Sequence, residues 1–319
     1  MNTPVLYACL AGAVWGFSTL VPKWLPEFNP ILLSSGRFIL YGATSLLIAL
    51  PLCKKLASKI TLPDMLKLLQ LALFGNLLYF ILFCAAIRWL GISPTTLIVG
   101  VLPVTITLLG RHDADAMPMS RLYAPLSLIM LGIICINISA FTHPSGANTW
   151  NEQIIGVICA VGALLSWSTY ALLNAHYLKQ QSRYSMAEWS SLQGVMTGIA
   201  GGMIWLTYAA FTHDNGNVIS ADRWQTFWLV NLGLALGSSW LGSWLWNNAS
   251  SRLPLSLAGQ LVVVETLFSL LYGFIYMQRW PTPLEATAIS LLVSGVYWAI
   301  SRHHQPVAGD THKAHHHTA

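Results

Sequence analysis

The sequence predicts an all-α polytopic membrane protein, with ten transmembrane helices in two inverted five-helix repeats. Three observations lead there. Hydrophobic residues make up 55% of the 319 positions and charged residues only 8%, against about 25% charged in a soluble domain. Mean hydropathy is +0.58. So few charges cannot solvate a globular surface of this size, whereas a protein whose surface mostly faces lipid does not need them. The second observation is a series of apolar segments of spanning length joined by short connections. The third is an internal echo. Gly12-Ala-Val-Trp-Gly-Phe-Ser-Thr19 returns as Gly162-Ala-Leu-Leu-Ser-Trp-Ser-Thr169, 150 residues later.

In chain order the apolar segments lie near 4–22, 30–52, 65–87, 91–110, 122–141, 153–176, 187–211, 225–248, 255–277 and 283–301. Each approaches the roughly 20 residues that a helix needs to cross the hydrocarbon core. The runs are continuous rather than alternating, which argues against a barrel of strands. The first segment is long enough to span and continues into others, so it does not read as a cleaved signal peptide. The five cysteines, Cys9, Cys53, Cys84, Cys135 and Cys159, are scattered without CxxC spacing. Neither a disulfide framework nor a metal site is expected, and no cofactor.

The echo extends beyond the first match. Leu33-Ser34-Ser35 falls on Trp189-Ser190-Ser191 at an offset of 156, and Thr96-Leu97 on Ser256-Leu257 at 160. A slowly growing offset is what loop insertions between duplicated units produce, so residues 1–143 and 150–302 read as two copies. The polar, histidine-rich stretch 303–319 reads as a disordered cytoplasmic tail. With the N-terminus inside, eleven basic residues fall on the inner side (Lys54, Lys55, Lys59, Lys67, Arg111, Arg121, Lys179, Arg183, Arg252, Arg302, Lys313). Four fall outside: Lys23, Arg88, Arg223 and Arg279. That bias puts both termini in the cytoplasm. The net charge of +5 is then loop charge, and no nucleic-acid partner is implied. Five helices per copy is odd, so the second copy enters from the opposite side and the repeats are inverted, as in many secondary transporters. Trp24, Trp89, Trp150, Trp224 and Trp280 lie near segment ends and suit an interfacial belt.

Trp15-Gly16 in the first helix, Arg37-Phe38 early in the second and Leu102-Pro103-Val104 in the fourth resemble the EamA-type family of the drug/metabolite transporter superfamily. So do Glu265-Thr-Leu-Phe268, Arg279-Trp-Pro281, Pro283-Leu-Glu285 and Gly295-Val296 in the closing segment. The resemblance runs from about residue 5 to 302. It implies a ten-helix exporter or exchanger of amino acids, drugs or other small metabolites, with a cavity lined mainly by helices 1, 3, 4, 6, 8 and 9. Two positions depart from it. Val263 stands in the second half where the first has Pro103, and Gln278-Arg279 replaces the usual Gly-Glu before the last helix.

Glu265 falls near the middle of the ninth segment, where a charge costs about 2.5–3.5 kcal/mol on insertion scales. It must be protonated, paired or facing water. It is a candidate for binding a substrate ammonium or carrying a coupling proton, and equally for a structural hydrogen bond between helices. Arg37, about 12 Å into the second helix, is a candidate for a substrate carboxylate or for a structural tie to a neighbouring backbone carbonyl. Polar and aromatic residues cluster on helix faces: Trp15, Ser18 and Thr19; Asn76, Tyr79 and Phe83; Trp167, Tyr170 and Asn174. Trp240, Ser243, Trp244 and Asn247 follow i, i+3, i+4, i+7 and share one side of an ideal helix. Gln260 in the ninth segment falls opposite Gly100 under the repeat offset. As a set these residues suit an amphipathic cavity, while singly each also suits helix-to-helix hydrogen bonding. Pro94, Pro103 and Pro254 are candidate hinges, since proline removes a backbone bond and bends a helix.

These residues favour an inner-membrane secondary transporter that exports small amphipathic metabolites, amino acids first, with drugs or organic cations as the alternative cargo. Its partners are the small-molecule substrate and membrane lipid, as a monomer or homodimer. An enzyme is disfavoured, for no HExxH motif or grouped nucleophile and base is present. A channel lacks a ring of like charges.

Overall fold

In the computed structural model the described residues are 3–90, 92–112, 118–142, 149–180, 182–211 and 219–304. The tail 305–319 and the histidines at 143 and 213 lie outside them, as do the side chains of Lys23, His112 and His304. Every regular element among the described residues is helical. The helical runs are α1 (Thr3–Leu20, continued by Val21–Trp24), α2 (Pro30–Lys59), α3 (Leu62–Leu90), α4 (Pro94–Leu109), α5 (Met119–Thr142), α6 (Trp150–Gln180), α7 (Met186–Phe211), α8 (221–250), α9 (Leu255–Met277) and α10 (Pro283–His304).

Seven of these are long and apolar enough to cross a membrane: α1, α2, α3, α6, α7, α9 and α10. The apolar stretches Pro94–Leu109 in α4 and Met119–Cys135 in α5 are shorter. α8 has the length, but Asn231, Ser238, Ser239, Ser243, Asn247 and Asn248 interrupt its apolar character, and all six are buried. The molecule is accordingly polar inside and greasy outside. Leu47, Leu50, Ile158, Leu206, Phe211, Leu229 and Ile275 are exposed, while Ser34, Ser45, Asn174, Gln193 and Gln260 are 0% exposed. That distribution fits a multi-pass membrane protein, whose outer surface is solvated by lipid.

Several helices start on boxes in which a threonine or serine and an acid three residues on satisfy the first free amides. Glu152 Oε2 accepts from the Thr149 amide at 2.7 Å, Glu188 from Ser185 at 2.9 Å and Glu285 from Thr282 at 2.8 Å. Asp64 does the same for Thr61 at 3.1 Å. Asn29 caps α2 through the Ile31 amide at 2.9 Å, with Pro30 at the first position.

Close backbone approaches set the packing. α2 crosses α7 where a Cβ on Gly42 would lie 2.5 Å from the Gly198 Cα, so neither position has room for a side chain. α5 and α10 pair reciprocally. A Cβ on Gly132 would meet Leu292 at 2.8 Å and the Ala288 carbonyl at 3.0 Å, while one on Gly295 would meet Ile129 at 2.7 Å and the Pro125 carbonyl at 3.0 Å. The same offset of 163 residues relates each partner in the first contact to its counterpart in the second. α1 runs against α8 and α9, and α6 against α3 and α4.

Helix irregularities are also paired. α3 widens into a π-turn at Leu73–Leu77 and α8 at Ala235–Leu241. α4 breaks at Gly100–Val101 and α9 at Val262. Pro103 stands just past the α4 break, Pro94 lies in the first turn of the helix Ile92–Val99 and Pro254 is the N-cap of α9. The α9 break carries no proline, so proline is not what ends that half-helix.

Charges close the two ends. At one end Arg183 Nη1 meets Asp64 Oδ2 at 3.3 Å, and Lys55 and Lys59 flank Glu188 at 3.2 and 3.5 Å. At the other, Arg223 Nε meets Glu27 Oε1 at 2.5 Å and its Nη2 meets the Trp24 carbonyl at 2.5 Å. Arg223 holds the Glu27 carboxyl below its usual range.

Two outcomes test this packing. Gly42→Ala should destabilise the α2–α7 crossing by about 1–3 kcal/mol through overpacking, read as a lower melting temperature in detergent. An unchanged value would mean that the helices are not in backbone contact there. Glu27→Gln should lower the melting temperature at neutral pH. A depressed carboxyl stabilises above its ordinary pKa and stops doing so as pH falls through the lowered value. The gap between variant and parent should therefore close only in acid, and a gap that persists at pH 2 would exclude the ion pair as its cause.

Candidate functional site

A cavity of about 1090 Å³, counting its open mouth, lies among α1, α2, α3, α4, α6, α8 and α9. Two charges face it, Arg37 and Glu265, within a wall that includes Trp15, Phe38, Tyr79, Phe80, Phe83, Trp167 and Tyr170. Its polar atoms come from Ser18, Thr19, Asn76, Thr96, Ser238, Ser239 and Ser243.

The π-turns shape this wall. A π-turn adds a residue to the helical circuit, and such turns often occur at functional sites. In α8 the turn presents two successive serines. Ser238 accepts from Trp15 Nε1 through its carbonyl at 2.8 Å and donates its hydroxyl to the Val14 carbonyl at 2.6 Å, tying α8 to α1. Ser239 Oγ accepts from Arg37 Nε at 3.0 Å. In α3 the turn contains Gly75, on which the Tyr170 ring sits, and Asn76, whose Nδ2 donates to Thr197 Oγ1 at 3.0 Å. Gly242, equally bare, receives the Trp15 ring.

Arg37 is 8% exposed. Its guanidinium carbon lies 5.0 Å from the Phe80 ring centre and 5.5 Å from Phe38. Aromatic faces and a single serine thus hold the cation in place while leaving donors directed at the cavity. Glu265 follows the α9 break, where its amide closes a tight turn to the Val262 carbonyl at 3.0 Å. Gly12 and Gly16 let α1 approach within contact of its backbone, a Cβ on Gly12 falling 2.9 Å from the Glu265 amide nitrogen. The carboxylate itself makes no hydrogen bond or ion pair among the described residues and faces the cavity. Ser269, one turn on, bonds the Glu265 carbonyl at 2.8 Å rather than the carboxylate.

A second cavity of about 1360 Å³ shares Thr19, Tyr79, Phe83, Thr96 and Glu265 with the first. It runs between α4 and α9 to the bidentate Arg279–Glu285 pair. Before its break α9 packs tightly on α4. A Cβ on Gly259 would lie 2.7 Å from Ile106, and Thr107 Oγ1 donates to the Ser256 carbonyl at 3.3 Å. The other halves, α4 before its break and α9 beyond its own, part around the cavity.

Of the sequence candidates, Trp15, Ser18, Arg37, Asn76, Tyr79, Trp167, Tyr170 and Glu265 converge on the central cavity. Asn174, Trp244, Asn247 and Gln260 do not line it. Trp244 packs edge-on against Tyr7 at 5.8 Å. Asn174 Nδ2 donates to Asn247 Oδ1 at 2.8 Å, and Asn247 Nδ2 donates to Ser190 Oγ at 2.8 Å, all buried. The single α8 face drawn from ideal spacing is divided. Trp240 reaches Ser191 Oγ at 3.0 Å, Ser243 faces the cavity and Asn247 lies a turn beyond it. An i to i+7 stripe is about 10 Å tall, more than one cavity wall needs, and the π-turn changes its register. Phe80, Cys84, Ser238 and Ser239 are wall residues that the sequence reading missed. A serine pair within an apolar helix was the available signal for the last two.

Asn247→Ala removes two hydrogen bonds between buried groups and should cost about 1–3 kcal/mol. Thermal unfolding in detergent reads the loss, and an unchanged midpoint would mean these bonds are replaced by others.

Residues 2–138 and 154–301 each match the EamA-like transporter family. The chain is 31% identical over 314 residues to the inner membrane protein YtfF of Escherichia coli (strain K12), across 94% of this chain and 95% of that protein. A solved structure described only as the crystal structure of a protein superposes with a TM-score of 0.71 at 18% identity, over 93% of this chain and 96% of the other. That likeness concerns the fold alone. The protein is a multi-pass membrane transporter and not an enzyme, and it belongs to the EamA-like transporter family.

Proposed function

We propose that the protein is an inner-membrane secondary transporter that exports small amphipathic metabolites, most readily amino acids, by alternating access. In this reading ten helices span the membrane in two inverted five-helix repeats, with both termini in the cytoplasm. The observation that carries it is the central cavity. One guanidinium and one unpaired carboxylate face a single space with aromatic walls, a set matched to a zwitterion with an apolar side chain.

Several further features support the reading. The reciprocal contacts of Gly132 and Gly295, the self-paired Gly42 and Gly198, and the paired π-turns and helix breaks are what a pseudo-twofold axis would produce. The end charges follow the same relation with signs exchanged. Glu27 and Arg183 stand 156 residues apart in corresponding loops, and Asp64 and Arg223 at corresponding helix starts. The basic residues bias the Arg183 end to the cytoplasm. The curated relative is named for the inner membrane. Broken α4 and α9, packed on one side of the break and parted on the other, provide half-helices that move separately, with Pro103 marking one break.

Organic cations are the second reading. A carboxylate without a protein partner beside Trp15, Trp167 and Tyr170 is also a cation–π site. Glu265 would then hold the cargo, whereas for a zwitterion it takes the ammonium or carries a coupling proton.

Counterflow in proteoliposomes separates these readings. Vesicles loaded with unlabelled amino acids or cationic dyes would be given the labelled compound outside. Saturable amino acid exchange, reduced at least tenfold by Arg37→Met, supports the zwitterion reading, and exchange of cations alone replaces it. Glu265→Gln should retain counterflow and lose uptake driven by a pH gradient if the residue carries the proton.

A further inference from the structure

Asn174 and Asn247 lie one helical turn, about 6 Å, beyond Tyr170 and Ser243, which line the central cavity on α6 and α8. They bond to each other at 2.8 Å and, through Asn247, to Ser190 at 2.8 Å. Gln193 stands one turn along α7 from Ser190, on the same face. It is 0% exposed, and neither atom of its carboxamide has a hydrogen-bond partner. The Tyr170 hydroxyl approaches it without meeting hydrogen-bond geometry. Asn174 Oδ1 is also unpartnered and buried.

Joints between helices such as Asn76 to Thr197 and Trp240 to Ser191 are satisfied. The Gln260 carboxamide of α9 is buried and unpartnered as well, and what distinguishes Gln193 is that it stands beside the bonded Asn174, Asn247 and Ser190. This cluster holds more hydrogen-bonding capacity than its neighbours use, and it carries no charge. It also lies toward the end of the bundle where Glu188, two residues before Ser190, meets Lys55 and Lys59. The central cavity instead continues toward the opposite end, past Glu265 to Arg279 and Glu285.

From this placement we infer that Asn174, Asn247, Ser190 and Gln193 form a second cargo site, occupied when the route opens toward the Glu188 end. The inference rests on the transporter reading. The site takes uncharged hydrogen-bonding groups such as amide, hydroxyl or carbonyl. Recognition of charge stays with Arg37 and Glu265 at the central cavity. The unused amide atoms of Gln193 bond to cargo or its water during passage and are folded away when that side is shut.

Gln193 is the position to test, because its side-chain contact with the Tyr170 hydroxyl falls outside hydrogen-bond geometry in this state. In a chain whose five native cysteines are replaced by serine, Gln193→Cys is treated with the membrane-impermeant cation 2-(trimethylammonium)ethyl methanethiosulfonate. Sealed vesicles of each orientation are used, with Ser18→Cys as the marker for the opposite side. The site predicts modification of Cys-substituted 193 from the Glu188 end at least tenfold faster than from the other end, and the reverse for 18. No reaction from the Glu188 end, in protein that melts with its parent, overturns the inference and makes the cluster a sealed joint. In parallel, Gln193→Leu should melt no lower than the parent and slow exchange of labelled leucine at least tenfold. Parent-like exchange would overturn the site even where the thiol reacts. If the parent exchanges no leucine, the cargo assignment fails on its own and the labelling alone decides the inference.

Discussion

A bilayer core offers no water to a polar atom, and this constraint accounts for most of the arrangement. Backbone amides must be bonded within helices, and side-chain hydroxyls, amides and charges must find partners inside the bundle or face a wet cavity. Many buried serines return a hydrogen bond to their own helix, as Ser34, Ser35 and Ser168 do at 2.6–2.7 Å. Others are joined across helices, as Ser238 is to Val14. Among the buried atoms left without a hydrogen-bond partner are both carboxamide atoms of Gln193 and of Gln260, the hydroxyls of Ser45 and Ser250 and the indole nitrogens of Trp189 and Trp246, while the Glu265 carboxylate has the cavity. With lipid as apolar as leucine, burial of leucine does little to hold helices together. Small residues and these interhelical bonds do more.

Close helix approach is the counterpart of that constraint. Gly42 on Gly198, Gly12 and Gly16 on the α9 backbone, and Gly259 on Ile106 place helices near enough for backbone and short polar side chains to interact. The same approach gives the bundle its division of labour. α2 with α7, and α5 with α10, are tight reciprocal pairs. α9 before its break packs on α4 beyond its own, and the remaining halves part around the second cavity. The reciprocal pairs surround two half-helices that border the cavity, with Glu265 just past one break.

Much of the site was legible in the sequence because it violated the local environment. An arginine and a glutamate within apolar runs stand out by cost alone, and both face the central cavity. The faces of Trp15 and Ser18, Asn76 and Tyr79, and Trp167 and Tyr170 follow from regular helical periodicity and converge as that periodicity implies. Ser238 and Ser239 were not visible this way, because the π-turn that presents them departs from the 3.6-residue repeat. Asn174, Asn247 and Gln260 were grouped with the cavity because periodicity gives the side of a helix and not the depth along it.

By itself the sequence determined membership of the membrane class and the helical runs, because hydropathy and helix periodicity are properties of the chain read locally. The threonine or serine and acid spacing at helix starts is also written there. Only the tertiary structure decided which polar residues share a space. It joined Arg37 of α2 to Ser239 of α8, left the Glu265 carboxylate facing a cavity, and set Asn174 and Asn247 against Ser190 instead of the cavity wall. Those outcomes depend on where helices cross, and the crossings depend on pairs such as Gly42 and Gly198, which stand far apart in the chain and meet only in the fold.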